Sequence, residues 1–190
     1  MPESALNRPI AVFDAGIGSY AIVAEIQRRL PRQDVIYFAD RASFPYGSKE
    51  PDELAEVMAR TLRFLEGFAP SAIVMASNAP SITVLERVRP LTTLPLFGVF
   101  PPLAEALALA PHGKVGIMGV RSLIESDELR DFVAQQVADP EAVSLIDASA
   151  MVELVESGAF LFDPEGTQAQ VSEFVTALHR RVPGDRKSVV

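Results

Sequence analysis

Residues 10–19 read IAVFDAGIGS: four apolar residues, an aspartate, and a loop built on Gly16 and Gly18. A short apolar run that breaks into glycines marks a strand ending in a tight turn. After it, Tyr20 to Leu30 carries Ile22, Val23, Ile26 and Leu30 at helical spacing. Strand, glycine turn and helix are the first half of a β-α-β unit, and that reading organises everything downstream.

The alternation continues along the chain. VIYFA (Val35 to Ala39) is a second strand, and the loop DRASFPYGSKEP leads into a helix from about Asp52 to Gly67. SAIVMA (71–76) is the third strand, a helix follows to about Val88, and PLFGVF (95–100) is the fourth. Beyond the Pro101-Pro102 break come a helix through Ala110, the strand KVGIMG and a helix near Ser122 to Val137. The strand VSLIDA and helices near Met151–Glu156 and Glu165–Arg181 complete the set. Near-continuous apolar strands separated by helices predict mainly parallel sheets with helices on both faces. The expected architecture is α/β in two domains, 1–99 and 100–184, whose elements come in similar order.

Composition narrows the partners. A net charge of −8 disfavours nucleic acid and anionic membranes, both of which reward clustered Lys and Arg. With no cysteine, disulfides and thiolate metal sites are excluded. The longest apolar region, Leu94 to Pro111, is interrupted by four prolines and Glu105, so it does not read as a membrane span. The opening MPESALNRPIAVFD lacks the pattern of a signal peptide, and a cytoplasmic location is expected.

In parallel sheets ligands sit beyond the carboxyl ends of the strands, which singles out three loops. In DAGIGSYA, Gly16-x-Gly18-x-x-Ala21 with Asp40 at the end of the next strand fits a dinucleotide fingerprint. Asp14, two residues before Gly16, would repel a pyrophosphate; a tight turn without ligand, or a small carboxylate at the helix N-terminus, fits the same residues. FPYGSK (44–49) is a turn by its Pro and Gly, from which Tyr46 could reach a ligand. In SNAPS (77–81), Ser77 or Asn78 caps a helix whose first turn holds Pro80. The only imidazoles, His112 and His179, lie in a turn and on a basic helix end, so a serine–histidine hydrolase is poorly supported.

Together, FDAGIGS, FADRASFPYGSK and VMASNAPS, in this order and spacing, resemble the glutamate racemase family of the aspartate/glutamate racemase superfamily. LFGVFPPLAEA, KVGIMGVRSLIES and AMVELVESG resemble its later segments, so the likeness runs to about residue 182. The resemblance implies two similar α/β domains with a cleft between them. It also implies cofactor-independent interconversion of L- and D-glutamate by two cysteines on opposite faces of the α-carbon, for peptidoglycan synthesis. A thiol suits that role because its pKa, ordinarily about 8.5, can be lowered into the working range.

Carried onto this chain, the resemblance places Asp14 and Ser77 in the catalytic positions, with Ser77 where the first cysteine stands. Ala15, Pro45, Tyr46, Gly47, Asn78 and Ala79 fall in the substrate-binding positions. Ala15 and Ala79 replace a serine and a threonine of the family pattern, and Leu123 stands where a threonine is usual. The expected partner is a small acidic amino acid, with no nucleic acid and no membrane; a homodimer is left open. The second cysteine should fall beyond the chain. The last six residues, DRKSVV (185–190), back-translate to GAT CGG AAG AGC GTC GTG, a run shared with a common sequencing adapter. They are expected to be a non-native tail, with the last part of the fold missing and apolar sheet surface exposed. Three readings follow: a racemase-like protein impaired by Ser77, a non-catalytic relative that binds a small carboxylate or amino acid, and, more remotely, a dinucleotide-binding domain.

Overall fold

A computed structural model describes residues 6–110 and 112–181, so the DRKSVV segment lies outside the described residues. The chain divides into two compact units, Met1–Phe100 and Pro101–Val190.

The first unit contains β1 (Ile10–Asp14), α1 (Tyr20–Arg29), β2 (Val35–Ala39), α2 (Pro51–Glu66), β3 (Ala72–Met75), α3 (Asn78–Thr83), α4 (Leu85–Val88) and β4 (Leu96–Gly98). Its four strands are all parallel, in the order β2-β1-β3-β4. A parallel neighbour on each side explains why Ala11, Val12 and Phe13 of β1 are fully buried. α2 covers the sheet with Leu54, Val57, Met58, Thr61, Leu62 and Leu65, an amphipathic stripe at three-to-four-residue spacing. Pro51 starts this helix, and Asp52 and Glu53 complement its N-terminal dipole. Each fully buried leucine here contributes about 1.5–3 kcal/mol relative to exposure. α1 is different. It lies against the edge strand β2, buries none of its residues, and leaves Ile22, Val23 and Ile26 half-buried.

Three local features differ from the sequence reading. The helix after β3 is broken at Val84, whose backbone (φ −130°, ψ −5°) leaves helical geometry. Pro80, Ser81, Val84, Leu85 and Val88 are buried on both sides of the break, so the apolar period runs through it and cannot reveal it. The helix expected near Ser122 to Val137 is also two, α6 (Arg121–Ile124) and α7 (Asp127–Gln136). Ser126 separates them: its hydroxyl donates to the Leu123 carbonyl at 2.8 Å and accepts the Leu129 N–H at 3.2 Å. Gly67 does end α2, yet in right-handed geometry; Ala69 takes the positive φ (49°) of that connection.

The second unit adds α5 (Leu103–Leu109), β5 (Val115–Gly119), the helices α6 and α7, β6 (Val143–Asp147), α8 (Ser149–Glu156) and α9 (Pro164–Arg181). β5 and β6 pair in parallel from Val115–Val143 to Gly119–Asp147. Leu103, Val115, Ile117, Leu129, Val133 and Ile146 are its buried residues of largest consequence. Exposed apolar side chains occur on edge strand β4 (Phe97), on α8 (Val152, Val155) and on the turn after it, where Phe162 is 85% exposed.

Candidate functional site

The site grows from the end of β1. Asp14 is the last residue of that central strand; the Asp40 N–H donates to its carbonyl at 2.8 Å from the β2 side. On the other side the Ala76 N–H donates to the Phe13 carbonyl at 2.9 Å, and the register puts Ser77 one residue beyond the level of Asp14. The Asp14 residue is 6% exposed. Its carboxylate accepts the Ala15 N–H at 2.7 Å. Burial pushes its pKa above the ordinary value, and the polar groups of Ala15, Gly16, Ser77 and Ser19 around it pull it back only in part.

Ser77 occupies the N-cap of α3 with extended backbone, as read from the sequence, but its side chain makes no capping bond. Ser77 is instead one of the polar groups that lower the pKa of the Asp14 carboxyl. The backbone of Ser77 is held by a residue the sequence reading missed. The buried Ser81 hydroxyl donates to the Ser77 carbonyl at 2.6 Å, lies 3.2 Å from the Met75 carbonyl, and accepts the Val99 N–H at 3.0 Å. One hydroxyl thus ties the end of β3, the start of α3 and the end of β4 together. Gly98 makes this approach possible: a Cβ there would lie 2.9 Å from the Ser81 Oγ and 2.8 Å from Leu85 Cδ2. The only sequence signal was a serine four residues into a short helix, where back-bonding to the preceding turn is common.

The Pro-Tyr-Gly loop forms a short 3-10 turn, Tyr46–Ser48, after a cis Phe44–Pro45 bond. Pro45 is exposed and Gly47 half-buried. Tyr46 is 3% exposed and donates its hydroxyl to Asp40 Oδ2 at 3.1 Å. Burial and the Asp40 charge hold the phenol protonated. Tyr46 is therefore committed to Asp40 and does not project outward. The same bond removes Asp40 from the role a dinucleotide site would need, since its carboxylate is buried beneath a tyrosine. The glycine loop departs from that reading too: Gly113 and Gly158 are the positive-φ glycines among the described residues, and Gly16 and Gly18 are not. Around the loop, Ala15 is buried, Ala79 half-buried and Asn78 exposed. Arg41 donates from Nη1 to the Ala15 carbonyl at 2.6 Å, and its guanidinium stacks 4.5 Å above the Phe44 ring.

Residues 19–185 match the family described as Asp/Glu/Hydantoin racemase. The chain belongs to that family. The glutamate racemase of Deinococcus radiodurans is 36% identical over 159 residues, which are 83% of this chain and 54% of the relative. That of Roseiflexus sp. (strain RS-1) is 34% identical over 174 residues, 90% of this chain and 62% of the relative. The chain thus spans little more than half the length of the curated relatives it matches. Among solved structures, Escherichia coli glutamate racemase in complex with L-glutamate and the activator UDP-MurNAc-ala is 26% identical, with a TM-score of 0.70 over 78% of this chain and 56% of that one. The mixed α/β fold with parallel sheets is the one these racemases share.

In the second unit of this racemase-family chain, Leu123 is buried, packed as a core residue of α6. The polar groups at the carboxyl ends of β5 and β6 are Arg121, Asp147 and Ser149. Arg121 Nε lies 2.9 Å from Asp147 Oδ2, and the Ser149 hydroxyl donates to Asp147 Oδ1 at 2.6 Å. The Ser149 bonds, with Arg121 adding to them, lower the Asp147 pKa to about 2. Among the described residues no three His, Cys, Asp or Glu side chains are grouped to hold a metal ion. No described helix is long and apolar enough to cross a membrane. His112 and His179 are both exposed.

Proposed function

We propose that the carboxyl ends of β1 and β3 form part of an acidic-amino-acid site of glutamate racemase type, in which Ser77 takes the place of the first proton-transferring thiol and impairs transfer. The observation that carries this reading is the placement of Ser77 and the buried Asp14 at the adjacent carboxyl ends of β3 and β1. It sets the residue at the thiol position beside the carboxylate that the family pattern keeps. Racemisation removes the proton from Cα to a base on one face and returns a proton from the other, so the base must accept and release a proton near neutral pH. A thiol does so; a serine hydroxyl is a far weaker acid, and a carboxylate beside it orients the hydroxyl without ionising it.

Asn78, exposed at the start of α3, supplies an amide for the ligand. Ala15 and Ala79 supply no polar side chain to a carboxylate or an ammonium, so glutamate is held by fewer bonds here. The setting is the cytoplasmic supply of D-glutamate for peptidoglycan, without a cofactor. Dinucleotide binding is disfavoured by Asp14 at the loop and by Asp40 beneath Tyr46.

The test is to incubate the protein with L- and D-glutamate in deuterium oxide, following the α-proton by NMR, and to titrate binding in parallel. Binding is expected, with α-exchange about 10²-fold or more below that of a thiol-bearing relative. Rapid exchange of both enantiomers would overturn the impairment. Absence of binding to either would overturn the site.

A further inference from the structure

The loop after β1 carries Gly16 and Gly18, which give its backbone wide conformational freedom. A Cβ at Gly18 would meet nothing within 4 Å, so packing does not hold that position. Side chains from the β2 side take up the loop's carbonyls instead. The Gly16 carbonyl is reached by the Ser19 hydroxyl at 3.4 Å and the Tyr37 hydroxyl at 3.5 Å, and these two hydroxyls lie 2.9 Å apart. The Ala15 carbonyl has a much shorter bond: Arg41 donates to it from Nη1 at 2.6 Å. A charged donor at that distance outweighs the two long hydroxyl bonds.

Arg41 makes this bond from a fixed base. Residues Arg41–Ser43 form a 3-10 turn, and the Phe44 N–H donates to the Arg41 carbonyl at 3.3 Å. At three residues per turn, side chains three apart lie one above the other, which sets the guanidinium 4.5 Å from the centre of the Phe44 ring. Phe44 in turn packs against the core of the first unit and leads directly into Pro45 and Tyr46. A free arginine side chain would lose much rotamer freedom in reaching Ala15; the ring has already ordered it.

We propose that Arg41 is a positioning residue that clamps the glycine loop to the Pro-Tyr-Gly loop, so that the two hold one geometry beside Asp14. Its carrying surface is the Phe44 ring, and its anchor is the peptide that follows Ala15. The consequence for ligand binding rests on the acidic-amino-acid reading of the site; the clamp itself does not.

The test follows the backbone amides of isotope-labelled protein by NMR, with L-glutamate titrated in a second series. The Gly16 N–H shares a peptide group with the Ala15 carbonyl, so its nitrogen resonance reports the bond. In Arg41→Met that resonance is expected to move. The Ala15 amide, held on Asp14 Oδ1, is expected to exchange about tenfold faster or more, the weight of one charged hydrogen bond. The amides of Ala11, Val12 and Phe13 are expected to keep their rates, which a general loss of stability would not allow. Phe44→Leu has the same effect, smaller, and adds nothing in the Arg41→Met background, because the ring acts through the guanidinium. Arg41→Lys, a cation without the planar face, recovers part of the effect. L-glutamate binds Arg41→Met several-fold more weakly than it binds the wild type.

An unmoved Gly16 resonance with unchanged Ala15 exchange, or Arg41 and Phe44 effects that simply add, would overturn the clamp. Equal glutamate affinity in the wild type and Arg41→Met would overturn the positioning role. Glutamate bound by neither would sink the acidic-amino-acid reading, and the amides alone would then decide the clamp.

Discussion

Ser77 and the buried Asp14 sit at the adjacent carboxyl ends of β3 and β1, one step apart in the register of the two strands. Ser77 makes no side-chain cap, and with Asp14 it places polar groups at the end of an otherwise apolar sheet. Burial dominates the behaviour of the Asp14 carboxyl and raises its pKa.

Restoring the thiol is the first consequence to test. Ser77→Cys is expected to raise α-deuterium incorporation into glutamate by about 10²-fold or more, the usual share of a positioned proton-transfer group. A base on one face of Cα exchanges one enantiomer with retention, so deuterium is expected to appear in that enantiomer without inversion. NMR with chiral analysis of the product reads both. No gain in a folded variant that still binds glutamate would refute Ser77 as the position of the thiol.

The Ser81 clamp makes a stability prediction. Ser81→Ala leaves the Val99 N–H without its partner and the Ser77 carbonyl with one donor in place of two, and is expected to cost about 1–3 kcal/mol. Gly98→Ala drives a methyl group into Ser81 and Leu85 and is expected to cost about 1–3 kcal/mol by overpacking. Urea unfolding measures both. Because the two residues touch, the double variant should cost less than the sum.

Asp14 gives stability a pH dependence of definite sign. Its folded-state pKa is raised above the ordinary 3.8, so in the window between those two values the folded protein holds more protons than the unfolded chain. The associated stability is complete below 3.8 and is lost as pH rises through the raised value. Asp14→Asn cannot ionise, so its urea midpoint should fall less than that of the wild type between pH 3.5 and 7. An equal fall in both would contradict the assignment.

Asp147 works in the opposite direction. Its pKa is lowered to about 2 by the bonds from Ser149 and Arg121. Its contribution is therefore complete above the ordinary 3.8 and is lost as pH falls through about 2. Asp147→Asn should be less stable than the wild type at neutral pH, and the two should converge as pH approaches 2. Urea midpoints along the pH scale check this, and a gap that persists at the acid end would mean that the loss is steric.

Strand and helix positions were largely legible, because β1, β2, α2 and α9 carry apolar periods or end in Gly or Pro that act locally. The breaks at Val84 and Ser126 were not, since burial keeps its period across both. The glycine loop also misled in part: GIGSYA reads as a phosphate cradle, yet neither loop glycine takes a left-handed conformation, and Asp40 is covered by Tyr46.

The sequence by itself determined the α/β class, the family, and the presence of Asp14, Tyr46 and Ser77 at the carboxyl ends of strands. These are properties of short segments, and local propensity and pattern express them. Only the tertiary structure decided that Tyr46 turns inward to Asp40, that Ser81 clamps Ser77 to β4, and that the hydroxyls of Ser19 and Tyr37 meet. Each of those contacts joins residues on different elements, and it forms because a buried polar group must find a partner wherever the packed sheet places one.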